Sequence, residues 1–143
     1  MTSRDDLGQM PGHLIRKLNQ RSTAVFTERM KSAPVELTSV QYAALDVLAR
    51  EPGIDQARLA SLIAYDRATI GEVVKRLEKK GLVARQVNEE DRRARTLRLT
   101  GEGEVALARV APIVAALQAE ILANLTQAEQ AQFLALARKA VGA

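Results

Sequence analysis

Apolar residues recur along this chain at intervals of three and four, and Gly, Pro and capping residues interrupt the rhythm at a few points, a pattern that predicts a mostly helical protein. Residues 12 to 32 carry Leu14, Ile15, Leu18, Ser22, Val25, Phe26 and Met30 at helical spacing, with Arg16, Lys17, Glu28 and Arg29 between them. The run SAPVE breaks this helix. Thr38 opens a second one with Gln41 three residues on, a capping-box spacing, and Val40, Ala44, Leu45 and Leu48 form its apolar stripe until Pro52-Gly53. Asp55 can cap a short third helix, DQARLASLIA, with Leu59, Leu62 and Ile63 expected inside. A turn at Ala64-Tyr65 leads to a fourth.

The fourth helix has an acceptor, Asp66, at its start, Tyr65 placed to pack onto Ile70, and Gly81-Leu82 as a glycine stop. At a period of 3.6 residues, Ile70, Val73, Val74 and Leu77 point inward. Ala68, Glu72, Lys75 and Lys79 lie opposite, with Thr69, Gly71 and Arg76 on the flanks and Arg67 in the first turn. Two short β-prone runs follow, 82 to 87 and 95 to 100, joined by the polar NEEDRRA loop. A long helix is expected over 102 to 124, with Val105, Ala108, Val110, Ile113, Val114, Leu117, Ile121 and Leu122 recurring and Pro112 inside as a possible kink. Thr126 with Glu129 opens a last helix bearing Phe133, Leu134, Leu136 and Val141.

A helix with a small and polar outer face, followed by an arginine-tipped hairpin, is the arrangement a winged helix-turn-helix uses to fill a major groove and reach beside it. The expected fold is therefore mainly α (α+β), one domain over 1–143. Residues 36–100 form the DNA-binding lobe, and additional N- and C-terminal helices, 12–32 and 102–143, have apolar surface best used by pairing two chains. Charge agrees with this reading. Residues 67 to 98 hold ten Lys/Arg against five acids, a net of +5, while the rest of the chain sums to −1, so the overall +4 comes from one segment. The small Ala68 and Gly71 would let the backbone approach base edges, and Thr69, Glu72, Lys75 and Arg76 supply polar reach. Glu72 can accept from cytosine N4, or it can be a solvated helix charge. Arg92 and Arg95 suit phosphates, and an arginine at the hairpin tip suits the narrow minor groove of A·T-rich DNA.

Composition removes several alternatives. Cysteine is absent, which excludes disulfides, thiolate metal sites, a cysteine nucleophile and thiol redox sensing. Aromatic residues make up 3% of the chain and tryptophan is absent, so the stacking platforms of single-strand binders are missing. With one histidine, no phosphate-cradling glycine loop and no metal-spaced cluster, no catalytic constellation is present, and neither enzyme activity nor a cofactor or metal is expected. The polar start MTSRDDLGQMPG has no apolar signal core, and the longest apolar-leaning stretch is interrupted by Gln118 and Glu120, so no membrane association and a cytoplasmic location are expected.

Read together, LTSVQYAALDVL and DQARLASLIAYDRATIGEVVKRLEKKGLVARQVNEEDRRARTLRLTGEG resemble the MarR family of bacterial transcription regulators over nearly the whole chain. RLEKKGLV, then a D-x-R wing signature at Asp91 and Arg93, then LRLT, carry the resemblance in this order. It implies a homodimer with two winged lobes, bound to a palindromic operator in double-stranded DNA, often released by a small ligand. It also implies that Arg93 enters the minor groove while Asp91 orients the wing through a salt bridge. Gly71-Glu72 stands where many members carry Thr-Arg, so operator preference does not transfer. GIDQARLASLIAYDRATIGEVV looks closer to members that govern catabolism of aromatic acids, which makes a small aromatic carboxylate the expected effector. For such a ligand, His13 and Arg16 lie one helical turn apart, with Asn19, Gln41 and Tyr42 as candidate pocket partners. The competing reading is a winged-helix architectural or protein-interaction module without ligand response.

Overall fold

The computed structural model describes residues 5–87, 90–91 and 95–143. In chain order the elements are α1 (Asp5–Gly8), α2 (Pro11–Met30), α3 (Ser39–Arg50), β1 (Ile54–Asp55), α4 (Gln56–Leu62), α5 (Arg67–Lys79), β2 (Val83–Val87), β3 (Arg95–Leu99), α6 (Gly101–Ile121) and α7 (Gln127–Val141). Every expected helix is present within a few residues of its expected ends. Two elements were not anticipated: the single turn α1, and β1, which extends the hairpin to a three-stranded antiparallel sheet in the order β1-β3-β2. β1 exists because Ile54 and Asp55 pair with Leu97 and Thr96, while Gly53 N–H donates to the Leu97 carbonyl at 2.9 Å.

The helix starts follow local chemistry. Thr38 and Gln41 form the expected reciprocal capping box, as do Thr126 and Glu129, and the side chains of Asp55, Asp66 and Thr100 accept from the backbone N–H three residues on. Gly81, at φ +76°, takes the left-handed conformation that ends α5, which a residue with a Cβ adopts only under strain.

One hydrophobic cluster holds these elements. Leu45 and Leu48 of α3, Leu59 of α4, the inward face of α5 and Leu97 of β3 meet Phe26 and Met30 of α2 and Val110, Val114 and Leu117 of α6. On α4 and α6 the buried stripe differs from the expected one. The inward side of the seven-residue α4 centres on Leu59 and Ala60, which leaves Leu62 exposed at its outer edge. On α6 the buried stripe is Gly103, Ala106, Val110, Val114 and Leu117, and Val105 lies on the opposite side and is exposed. α6 runs unbroken through Pro112.

α2 and α6 are clamped at the far end of the molecule from the sheet. The Arg21 guanidinium donates to the Ile121 and Glu120 carbonyls at 2.8 and 3.0 Å, satisfying the open end of α6, and Arg29 forks onto the Glu120 carboxylate at 2.6 and 2.8 Å. Near the sheet, Thr100 joins α6 to the end of α5. Its hydroxyl donates to the Gly81 carbonyl at 2.6 Å and accepts from Gly103 N–H at 3.0 Å. Among the described residues no helix is long and apolar enough to cross a membrane.

Candidate nucleic-acid interface

α4 and α5 form the helix-turn-helix, and the turn between them holds Ala64 at φ +57°, a left-handed conformation uncommon for a residue with a Cβ. Asp66 sets the start of α5. Its carboxylate accepts from Thr69 N–H at 2.7 Å and from the Thr69 hydroxyl at 2.8 Å, and these two bonds, the backbone one first, hold its pKa below the ordinary aspartate value. Ile70, Val73, Val74 and Leu77 are buried as expected, which turns Arg67, Ala68, Glu72, Lys75, Arg76 and Lys79 to solvent and leaves Thr69 and Gly71 half-buried. Glu72 and Lys75 approach to 3.9 Å, a loose pair on the exposed face.

Gly71 has a packing explanation. A Cβ there would lie 3.2 Å from the side-chain nitrogen of Gln56, the first residue of α4, and that nitrogen donates to the Arg67 carbonyl at 3.4 Å. The missing side chain at 71 thus lets α4 tie the first turn of α5. Gln56 was not singled out from the sequence, because its role appears only when α4 lies across α5.

Two further contacts set the pose of α5. Glu78 and Arg85 form a 2.7 Å ion pair, half-buried on both sides, that ties α5 to β2. The Lys80 ammonium donates to the Glu36 carbonyl and, at 3.3 Å, to Gln41 Oε1, the same oxygen that accepts from Thr38 N–H in the capping box of α3. Gln41 is the one buried polar side chain among the described residues, and two donors, Thr38 N–H and the Lys80 ammonium, converge on its oxygen.

The hairpin is a regular antiparallel ladder from Val83↔Leu99 to Val87↔Arg95. Arg95 is exposed at the outer end of β3, and Asp91 is exposed in the loop. Arg92 and Arg93, the other two arginines expected at the wing, lie outside the described residues.

Below the C-terminal half of α5, between it, α2 and the start of α3, is a cleft of about 790 Å³. Phe26, Met30, Ala33 and Leu37 line its apolar part, and Arg76, Lys79, Lys80 and Lys31, the last paired with Glu28 at 2.8 Å, line it beside the acid Glu36. Of the five residues expected at a ligand site, Gln41 lines this cleft. His13, Arg16, Asn19 and Tyr42 do not; the first three sit on the N-terminal half of α2, beside the exposed Leu14 and Ile15. No group of acidic or histidine side chains among the described residues could hold a metal ion.

A family model described as the MarR family matches residues 37–94. The transcriptional regulator HosA of Escherichia coli is 37% identical over 89% of this chain and 91% of its own. The structure of the PcaV transcriptional regulator of Streptomyces coelicolor with its natural ligand is 38% identical and superposes with a TM-score of 0.86, covering 100% of this chain and 99% of that one. BpsR of Bordetella bronchiseptica, whose DNA binding is regulated by 6-hydroxynicotinic acid, superposes at 0.88 with 26% identity and the same coverage.

Proposed function

The chain belongs to the MarR family of transcription regulators, and on that footing we propose that it is a homodimeric repressor that holds a palindromic operator and is released by a small aromatic carboxylate. The observation that carries the reading is the outer face of α5: a capped helix, buried on one side and basic on the other, beside a hairpin with arginine at its end. Arg67, Ala68, Thr69, Glu72, Lys75 and Arg76 would face the major groove, Arg92 and Arg95 the phosphates, and Arg93 the minor groove with Asp91 orienting it. Gly71 would contribute by letting α4 hold α5 in place.

Pairing of two chains is supported by apolar helix surface that one chain leaves uncovered. No residue of α7 is buried, although Leu134, Leu136 and Val141 are 47, 57 and 78% exposed. α6 is apolar on both sides, with Val105, Ala108, Pro112, Ala115, Ala116 and Ala119 exposed opposite its buried stripe. Helices apolar all round belong in an interior, and a second copy would provide one.

Release by a small ligand draws support from PcaV, solved with its natural ligand, and release by an aromatic acid from BpsR and from the 790 Å³ cleft, whose apolar floor and cationic lining suit a ring bearing a carboxylate. The alternative anchor, Arg16 with His13, lies where a second protomer would cover Leu14 and Ile15. The test is a DNA-release assay on the fragment upstream of the protein's own gene, located by footprinting, with benzoate, salicylate and hydroxycinnamate. The expected result is protection of a two-fold symmetric site, lost with one of these acids. Arg16→Ala blunts the response if the carboxylate lies on α2, and Lys31→Ala if it lies in the cleft. Absence of a footprint, with a salt-insensitive weak affinity, would point instead to an interaction module.

A further inference from the structure

Between Arg67 and the basic end of α5, three residues that solvent reaches, the exposed Ala68 and Glu72 and the half-buried Thr69, have no side-chain hydrogen to offer a base. Ala68 is apolar. A carboxylate such as Glu72 has acceptors only. Thr69 is normally both donor and acceptor, but its hydroxyl lies 2.8 Å from Asp66 Oδ2, on a carboxylate that already accepts the Thr69 N–H at 2.7 Å. A carboxylate has no proton to return, so the Thr69 hydroxyl is the donor in that contact and its hydrogen is committed within the helix. Its lone pairs and its methyl group remain for anything outside. Arg67 stands before this segment, and Lys75, Arg76 and Lys79 after it, so the donors of α5 flank an acceptor-only centre.

In the major groove, only cytosine N4 and adenine N6 are donors, while guanine shows acceptors at N7 and O6. We propose that Thr69 and Glu72 are the specificity-determining residues of this protein, acting as an acceptor-only pair that selects cytosine or adenine amino groups under the centre of α5 and excludes guanine there. The inference rests on the DNA-binding reading of α5 and adds which base chemistry it reads. Three helical residues rise about 4.5 Å, slightly more than one base-pair step, so the two side chains address neighbouring base pairs. Exclusion is as important as attraction: a guanine beneath Glu72 sets its N7 and O6 lone pairs against a carboxylate, with no hydrogen between them.

The experiment is selection of binding sites by the full-length protein from randomised double-stranded DNA, repeated with Thr69→Val and Glu72→Gln. Valine keeps the size and a methyl group, and the Thr69 N–H bond to Asp66 is retained; glutamine keeps the length and adds a donor. The wild type is expected to enrich cytosine or adenine on the contacted strand at two neighbouring positions. Thr69→Val relaxes one of them, and Glu72→Gln shifts the other towards adenine, which glutamine pairs with through two bonds. Replacing the selected adenine or cytosine by an analogue lacking the amino group lowers wild-type affinity about 5- to 150-fold, and at the Thr69 position it leaves Thr69→Val nearly indifferent. Guanine enriched at those positions, or one unchanged preference in both variants, overturns the proposal while leaving sequence-specific DNA binding intact. No enrichment of any sequence overturns the DNA-binding reading and the proposal with it.

Discussion

Replacing Gly103 by alanine adds one methyl group, and the structure places it in occupied space. A Cβ at 103 would lie 2.1 Å from the Leu82 carbonyl oxygen and 3.0 Å from its carbon, whereas ordinary contact begins near 3.4 Å, an overlap of about 1.3 Å with the oxygen. That carbonyl cannot simply turn aside. It accepts from Thr100 N–H at 3.0 Å, and the neighbouring Gly81 carbonyl is held by the Thr100 hydroxyl. The start of α6 must therefore move off the start of β2. Overpacking of this kind costs about 1 to 3 kcal/mol, and weakening one or two of these hydrogen bonds adds about 0.5 to 1.5 kcal/mol each. Against this stands the gain of about 1 kcal/mol from replacing glycine within a helix. The net is a loss of about 0.5 to 5 kcal/mol, or a fall in melting midpoint of about 2 to 16 °C for a chain of this size. Gly101→Ala, two residues earlier with no atom within 4 Å of its added Cβ, is the control and should leave the midpoint level or slightly raised. Both variants are melted beside the wild type at one fixed protomer concentration, because association contributes to stability. A Gly103→Ala protein as stable as the wild type would refute the argument. Since Gly81 ends α5 and Leu82 leads into the wing, operator affinity measured well below the midpoint should fall in Gly103→Ala as well.

Three other outcomes follow from the same geometry. Arg93→Ala should weaken operator binding by about 1 to 3 kcal/mol and relax preference for A·T pairs flanking each half-site; equal affinity for wild type and variant at two salt concentrations would show that the wing does not touch DNA. Removing residues 126 to 143 should abolish both the dimer and tight operator binding, and a truncated chain that still sediments as a dimer places the interface elsewhere. Asp66 has its pKa lowered in the folded state, so its contribution is fully present above the unfolded aspartate value of about 3.9 and is lost as pH falls through the folded one. Urea unfolding should show this acid-side loss in the wild type and less of it in Asp66→Asn, with no difference in slope between pH 6 and 8.

Spacing along the chain specifies whatever lies within reach of a single turn. The caps at Thr38, Asp55, Asp66 and Thr126 lie three residues from the N–H groups they satisfy, Gly81 supplies its own left-handed turn, and the spacing of Ile70, Val73, Val74 and Leu77 settles which side of α5 faces outward. The helix-turn-helix, the hairpin and the exposed basic face were legible for that reason. How these pieces meet is set by packing between distant segments. Ile54 and Asp55 form a strand only because Leu97 and Thr96 lie beside them. Leu62 and Val105 are apolar residues at helical spacing, yet they fall outside the core because packing selects one of two possible apolar sides. Gly71 makes room for Gln56, Gly103 for the Leu82 carbonyl, and Lys80 reaches back to Glu36 and Gln41 across 44 and 39 residues. The cationic cleft assembles from α2, α3 and α5 in the same way, while His13 and Arg16, adjacent on one helix, stay outside it. Interactions within a turn are encoded by spacing along the chain; those between elements depend on which apolar faces the closed core brings together, and no local spacing records that choice.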